Sequence, residues 1–292
     1  MSKLKIWLLA ARPKTLWAGV GPVLIGTALA YSDGLMHWPS AVVALFASIT
    51  IQIATNFAND YFDFVHGADT VDRTGPTRVT QAKLISANEM KWAFIIMFTI
   101  SFMSGLFLVY RGGWPILIIG VLSIIFGILY TGGPFPLGYL GLGDILVTIF
   151  FGPVAVGGTY YAQALQFNWI VFLAGLSPGL ISTSILVANN LRDIATDLKA
   201  GKRTLAVRFG ETFSRIQYTI MIISAALIPV GLFIFTRKHP YSLAAVLILA
   251  FSIPTIKIIF KERDGATLNQ ALADTGKILL IYSIIFSAGW IL

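Results

Sequence analysis

Long apolar runs alternate along the chain with short polar intervals. Nine runs are bounded by charges, Gly/Pro or tryptophan, at about 16–31, 38–58, 92–109, 114–130, 145–161, 169–187, 216–235, 241–260 and 277–292. Each approaches the roughly 20 residues that carry an α-helix across a bilayer. Several begin with Trp or end with Tyr, the pattern of side chains anchored at a membrane–water interface. The expected fold class is therefore an all-α integral membrane protein, a bundle of nine transmembrane helices in a single domain over residues 1–292. Ser86-Ala-Asn-Glu89 reads as a capping box opening the third helix. The N-terminus, Met-Ser-Lys-Leu-Lys-Ile-Trp, has no small-residue cleavage site after its first apolar stretch, so the first helix reads as uncleaved.

Composition agrees. Hydrophobic residues make up 57% and charged residues 12% of the 292, and mean hydropathy is +0.80. A net charge of +8 raises nucleic acid as a partner, but the basic residues are spread over inter-helix segments with no basic face, and no nucleic-acid partner is expected. With the N-terminus inside, 18 of the 21 Lys and Arg fall on inner segments, leaving Arg111, Arg237 and Lys238 outside. That bias fixes orientation. It puts the N-terminus and the chemistry on the cytoplasmic face and the C-terminus outside. There is no cysteine, so thiol nucleophiles and Cys-based metal sites are excluded.

The polar residues are concentrated rather than scattered. Four of the thirteen acids, Asp60, Asp63, Asp69 and Asp72, fall just after the second apolar run. A second cluster follows the sixth run: Asn189, Arg192, Asp193, Asp197, Lys199, Lys202 and Arg203. Asn59 and Asp63 match Asn189 and Asp193 at an offset of 130 residues, so segments 56–78 and 189–204 read as the motifs of two halves. If each helix continues through its motif, residues four apart share a face. Carboxylates at a helix end in a membrane are costly unless they meet water, a cation or a partner. Hard oxygen donors at this spacing suit Mg²⁺, and the accompanying Lys and Arg suit phosphate oxygens. Two such clusters suggest one diphosphate site shared by both halves.

Other stretches carry less. The inner segments 59–91 and 190–215 are expected to be long, with short helical pieces capping the site, since long loops in compact proteins are usually functional or disordered. Segment 131–143 is uncharged and rich in Gly and Pro, hence a tight hairpin, and Asp144 after it is expected to cap a helix. Pro13 suits a helix start, with Arg12 and Lys14 beside it as positive-inside anchors or anion contacts. His37, His66 and His239 are too far apart to make a metal site, and His66 is expected to be a solvated loop residue. Segment 261–264 is a mixed-charge loop.

Residues 59–70 (Asn-Asp-Tyr-Phe-Asp-Phe-x-x-Gly-x-Asp-Thr), Gly-Pro-Thr-Arg-Val-Thr-Gln at 75–81 and Asn-Asn-x-Arg-Asp-x-x-x-Asp-x-x-Ala-Gly-Lys-Arg-Thr-Leu-Ala at 189–206 resemble the UbiA superfamily of membrane prenyltransferases, and within it the MenA branch. The likeness extends to Ala11–Thr15 and to Tyr-Thr-Gly-Gly-Pro-Phe-Pro-Leu at 130–137. It covers most of the chain to about residue 210. The resemblance implies Mg²⁺-dependent transfer of a polyprenyl group from a polyprenyl diphosphate to 1,4-dihydroxy-2-naphthoate, with loss of the ring carboxylate, in menaquinone biosynthesis at a bacterial inner membrane. Asn59, Asp63, Asp69, Asn189, Asp193 and Asp197 are then the metal-site residues, with Asp60 a weaker candidate. Arg73, Arg78, Lys199, Lys202 and Arg203 are the diphosphate contacts. Tyr130 lines the acceptor pocket, where its ring face could stabilise a carbocation. Arg12, Lys14 and Arg78 are the candidates to meet the acceptor carboxylate, and the apolar helices would hold the tail among membrane lipids. The runner-up acceptor is 4-hydroxybenzoate or another aromatic acid. A transporter of an anionic solute would more often carry its ionisable residues at mid-span, and a structural scaffold would not need the repeated motif.

Overall fold

The structure, a computed structural model, describes residues 1–68, 75 and 77–292. Among these every regular element is helical. α1 (Lys3–Ala11) is short and the chain bends 50° where it leads into α2 (Trp17–Ser32). The elbow is built into the sequence. Proline disfavours helical geometry in the residue before it, and Arg12 takes a left-handed conformation at φ 52°. Thr15 then donates its N–H and its hydroxyl to the Arg12 carbonyl, both at 2.9 Å.

α3 (Trp38–Val65), α4 (Ala87–Gly112) and α5 (Trp114–Leu129) follow. α6 (Gly143–Ile149) and α7 (Ala155–Ala164) are joined by a π-helical turn at Phe150–Val154. The chain ends with α8 (Trp169–Lys199), α9 (Leu205–Thr236), α10 (Ile248–Lys261) and α11 (Gly265–Ile291). α4 opens with both hydrogen bonds of the expected capping box, Glu89 N–H to Ser86 Oγ at 3.2 Å and Ser86 N–H to Glu89 Oε2 at 2.9 Å.

Seven segments are long and apolar enough to cross a membrane, and the bent α1–α2 pair makes an eighth if taken as one span. The remaining expected span is present as α5, apolar but only 16 residues long. That is about 24 Å of helix against a hydrocarbon core of about 30 Å. The all-helical, multi-pass fold therefore holds, while the count of nine is not confirmed.

The inner segments also differ from expectation. α3 runs through Asn59 and Asp63 to Val65, and α8 runs through Asn189, Asp193 and Asp197 to Lys199. Only residues 200–204 separate α8 from α9. Polar side chains do not end a helix if one face meets a cavity, because the backbone bonds stay inside the segment. Gly201 does end it, at φ +72°. A second glycine, Gly210 at φ +82°, breaks α9 and sets residues 205–209 apart as a short helical piece.

α8 and α11 are the most enclosed spans, packed with α2, α7, α9 and α10 around Tyr160, Tyr218, Tyr282 and Phe286. Lipid offers no hydrophobic drive between helices, so close packing must hold them together. A Cβ on Gly152 would stand 2.7 Å from the Gly175 carbonyl, and one on Gly175 would stand 2.8 Å from Pro153 Cα. Glycine at these positions lets α8 lie directly against the π-turn. A second apolar cluster joins α1, α3 and α4 around Phe57, Met90 and Phe94.

Candidate active site

Successive turns of α3 present Gln52, Asn56, Asn59 and Asp63 on one face, and α8 does the same with Ser182, Asn189, Asp193 and Asp197. All eight line one cavity. The matched motifs thus form two walls of a single site.

Asp63 is buried at the end of the α3 wall. Its Oδ2 lies 2.8 Å from Arg78 Nη2, and its Oδ1 accepts from the Tyr139 hydroxyl at 2.7 Å and from Lys202 Nζ at 3.0 Å. Lys202 Nζ also stands 3.9 Å from Asp197 and 4.6 Å from the centre of the Tyr139 ring, so it bridges the two acid clusters. Asn59 accepts the Thr131 hydroxyl at 2.8 Å. Asp60 is outside the cavity lining and accepts the Thr80 backbone N–H at 3.1 Å, tying down the returning chain.

On the α8 wall, Arg192 grips Asp193 with two nitrogens, at 2.8 and 2.6 Å. The same guanidinium donates to Asn189 at 2.7 Å and to Asn269 of α11 at 3.0 Å. Gly75 rests against it, where a Cβ would stand 2.8 Å from Nη2. Fixed cations therefore meet both carboxylates, as burial demands.

Among the described residues, no three of His, Cys, Asp or Glu stand close enough to cage a metal. Mg²⁺ does not need a cage, since it is usually held by one or two carboxylates with waters and substrate phosphates completing its shell. The oxygen donors Asn59, Asp63, Asp193 and Asp197, gathered around one cavity, fit that mode.

Of the expected diphosphate contacts, Arg78 and Lys202 line the cavity. Lys199 and Arg203 are exposed and lie outside its lining. Asp69, Asp72 and Arg73 lie outside the described residues. Of the cations proposed for the acceptor carboxylate, Arg12 and Arg78 line the cavity, whereas Lys14 is exposed and does not. His66 is exposed at the end of α3, its ring 6.0 Å from that of Tyr139. Asp144 is not a helix cap. α6 begins at Gly143 with Leu142 in the cap position, which draws Asp144 into the first turn, buried, where it accepts from Gln217 at 2.9 Å.

Tyr130 follows α5 and lines both the polar cavity and an adjoining apolar groove. Gln52, Thr55, Val147 and Phe151 are also shared by the two spaces. Tyr139 was not anticipated, because nothing in an uncharged Gly/Pro hairpin marks one tyrosine over another. The hairpin is anchored by the Arg203 N–H to the Tyr139 carbonyl at 2.7 Å and by Arg208 to the Leu140 carbonyl at 2.8 Å. Only in the fold does that anchoring bring its hydroxyl to Asp63.

A helical membrane bundle whose acid-bearing helices flank a cationic cavity, opening on an apolar groove, has the makings of a membrane prenyltransferase. The chain matches the UbiA prenyltransferase family over residues 19–284 and belongs to it. It is 38% identical to the 1,4-dihydroxy-2-naphthoate octaprenyltransferase of Haemophilus influenzae, covering 98% of this chain and 96% of that one. With the Escherichia coli protein of the same name it shares 37% identity, over 99% and 96%. The fold matches that of a UbiA homolog from Aeropyrum pernix at a TM-score of 0.68 and 15% identity, covering 99% of this chain and 98% of that one. A UbiA homolog from Archaeoglobus fulgidus bound to GPP and Mg²⁺ matches at 0.63 and 16%, over 98% and 99%.

Proposed function

We propose that this protein transfers a polyprenyl group from a polyprenyl diphosphate to 1,4-dihydroxy-2-naphthoate, with decarboxylation, as a step of menaquinone biosynthesis. The observation that carries the reading is the meeting of two matched motifs over one cationic cavity that runs on into an apolar groove. The curated relatives named above are matched along nearly their whole length, which supports the same acceptor.

Arg78 and Lys202 receive the diphosphate, and Arg73, Lys199 and Arg203 are the further candidates to contact it. Asn59, Asp63, Asp69, Asn189, Asp193 and Asp197 are the set that would hold Mg²⁺. Bound there, the metal would neutralise charge on the leaving diphosphate. The C–O bond to the allylic carbon breaks as the pair of electrons leaves with diphosphate, and fixed donors stabilise that charge where water is excluded. Tyr130, at the junction of cavity and groove, offers its ring face to the allylic cation. The electron-rich acceptor ring bonds to the allylic carbon, and loss of the carboxylate as carbon dioxide restores aromaticity. Arg12 holds that carboxylate beforehand. The chain sits in a bacterial inner membrane with this end in the cytoplasm, a reading that the distribution of basic residues supports.

The test uses purified full-length protein, Mg²⁺ and one polyprenyl diphosphate, with equal naphthoate and 4-hydroxybenzoate in competition. Prenylated naphthoate should dominate and excess chelator should stop its formation. Preferential prenylation of the benzoate would overturn the acceptor assignment, and undiminished turnover in chelator would overturn the metal's role.

A further inference from the structure

Gln52 on α3 and Ser182 on α8 occupy matching places in the two halves. Each precedes its helix's aspartate by 11 residues, Gln52 before Asp63 and Ser182 before Asp193. Both sit about 16 Å further into the membrane along their helices. Both line the polar cavity, yet they are only 8% and 3% exposed.

Several neighbouring polar side chains on the same helices are satisfied within the protein. Thr50 donates to the Phe46 carbonyl at 2.9 Å, Thr183 to Gly179 at 2.9 Å, Ser184 to Leu180 at 3.1 Å and Ser177 to Ala225 at 3.1 Å. The Ser182 hydroxyl is buried with no partner. Among the described residues the Gln52 carboxamide makes no hydrogen bond either. A buried polar group without a partner calls for an explanation. Ser182 is such a group, and the Gln52 carboxamide, without a hydrogen bond among the described residues, faces the same cavity from the matching depth on the other wall.

Read inward from the helix ends, the cavity presents carboxylates and cations, then Asn59 and Asn189, then Gln52 and Ser182. Beyond Gln52 and Tyr130 lies the apolar groove. A diphosphate belongs with the cations, and a hydrocarbon tail belongs in the groove. An uncharged polar level between them suits an uncharged polar ligand group that reaches past the allylic carbon. We propose that the Gln52 carboxamide and the Ser182 hydroxyl form a subsite that binds the ring hydroxyls of the aromatic acceptor. Either side chain can donate or accept, so each can pair with a hydroxyl whichever way its hydrogen points. The inference rests on the prenyltransferase reading above and adds the groups that recognise the acceptor.

The test compares wild type with Ser182→Ala and the near-isosteric Gln52→Met in the full-length protein. KM is measured separately for naphthoate and prenyl diphosphate, and naphthoate binding is titrated directly through its own fluorescence. Each variant should raise the naphthoate KM and dissociation constant about 10-fold, the worth of one hydrogen bond left unmade, and leave the diphosphate KM where it was. The variants should also lose discrimination against a naphthoate lacking one hydroxyl, because that preference depends on paired polar groups. Ser182→Ala should melt at or above the wild-type temperature, since it removes an unpartnered buried hydroxyl; a structural serine would do the reverse. If Gln52→Met does not fold, Ser182→Ala decides alone. Unchanged naphthoate binding, or a diphosphate KM that rises in step, would overturn the subsite and leave the enzyme reading intact. Wild-type protein that prenylates no aromatic acceptor would take both down, and that control is read first.

Discussion

Asp63 shows how much of the site rests on single atoms. Its Oδ1 already accepts from Tyr139 and Lys202, which uses both lone pairs of that oxygen. An incoming metal and diphosphate would repel the Lys202 ammonium from the carboxylate and draw it to phosphate, while the neutral Tyr139 hydroxyl can stay and keep the carboxylate aimed. Tyr139→Phe should therefore raise the Mg²⁺ concentration for half-maximal binding of a prenyl diphosphate about 10-fold, the upper side of a hydrogen bond to a charged group being larger still. The measurement is a Mg²⁺ titration of ligand binding, and an unmoved midpoint would show that Tyr139 only packs. Charge and spacing could point to Asp63 from the sequence alone, because Asn59 and Asp63 share a helix face and recur 130 residues on as Asn189 and Asp193. Tyr139 could not be found that way, since its role depends on a hairpin anchored to a segment some sixty residues away.

At the scale of the element, α8 carries structure and chemistry on one helix. The sequence pattern located its apolar run and its motif but divided them between helix and loop, because clustered charges read as solvent-facing. They face a cavity instead, and the helix runs unbroken to Lys199. The pattern also treated Arg192 as one more basic residue, whereas it links Asp193, Asn189 and Asn269 of α11. Asp193 therefore has two roles, and removing its charge leaves a buried guanidinium uncompensated. Asp193→Ala should cost about 3–5 kcal/mol of stability as well as activity. Asp193→Asn, which keeps an oxygen acceptor, should lose activity with a smaller drop in melting temperature. Equal melting temperatures for the two variants would show that the ion pair does not brace α8 against α11.

For the molecule as a whole, the lipid-facing side of the groove has a consequence for its donor. Phe102, Leu106 and Val121 line the groove and are 38%, 43% and 36% exposed, so the groove is not closed off on that side. Such a wall guides the first isoprene units and then gives way to the bilayer, which solvates further units as readily as protein does. The enzyme is therefore expected to have no ruler. Across donors of increasing length, kcat/KM should climb while the groove is filling and then stay level, as a series of prenyl diphosphates in one reconstituted membrane would reveal; a sharp optimum would mean the groove has a floor. With such a level profile, tail length in the product would be decided earlier, by the condensation reaction that elongates the diphosphate, and this protein would attach whatever length it is handed.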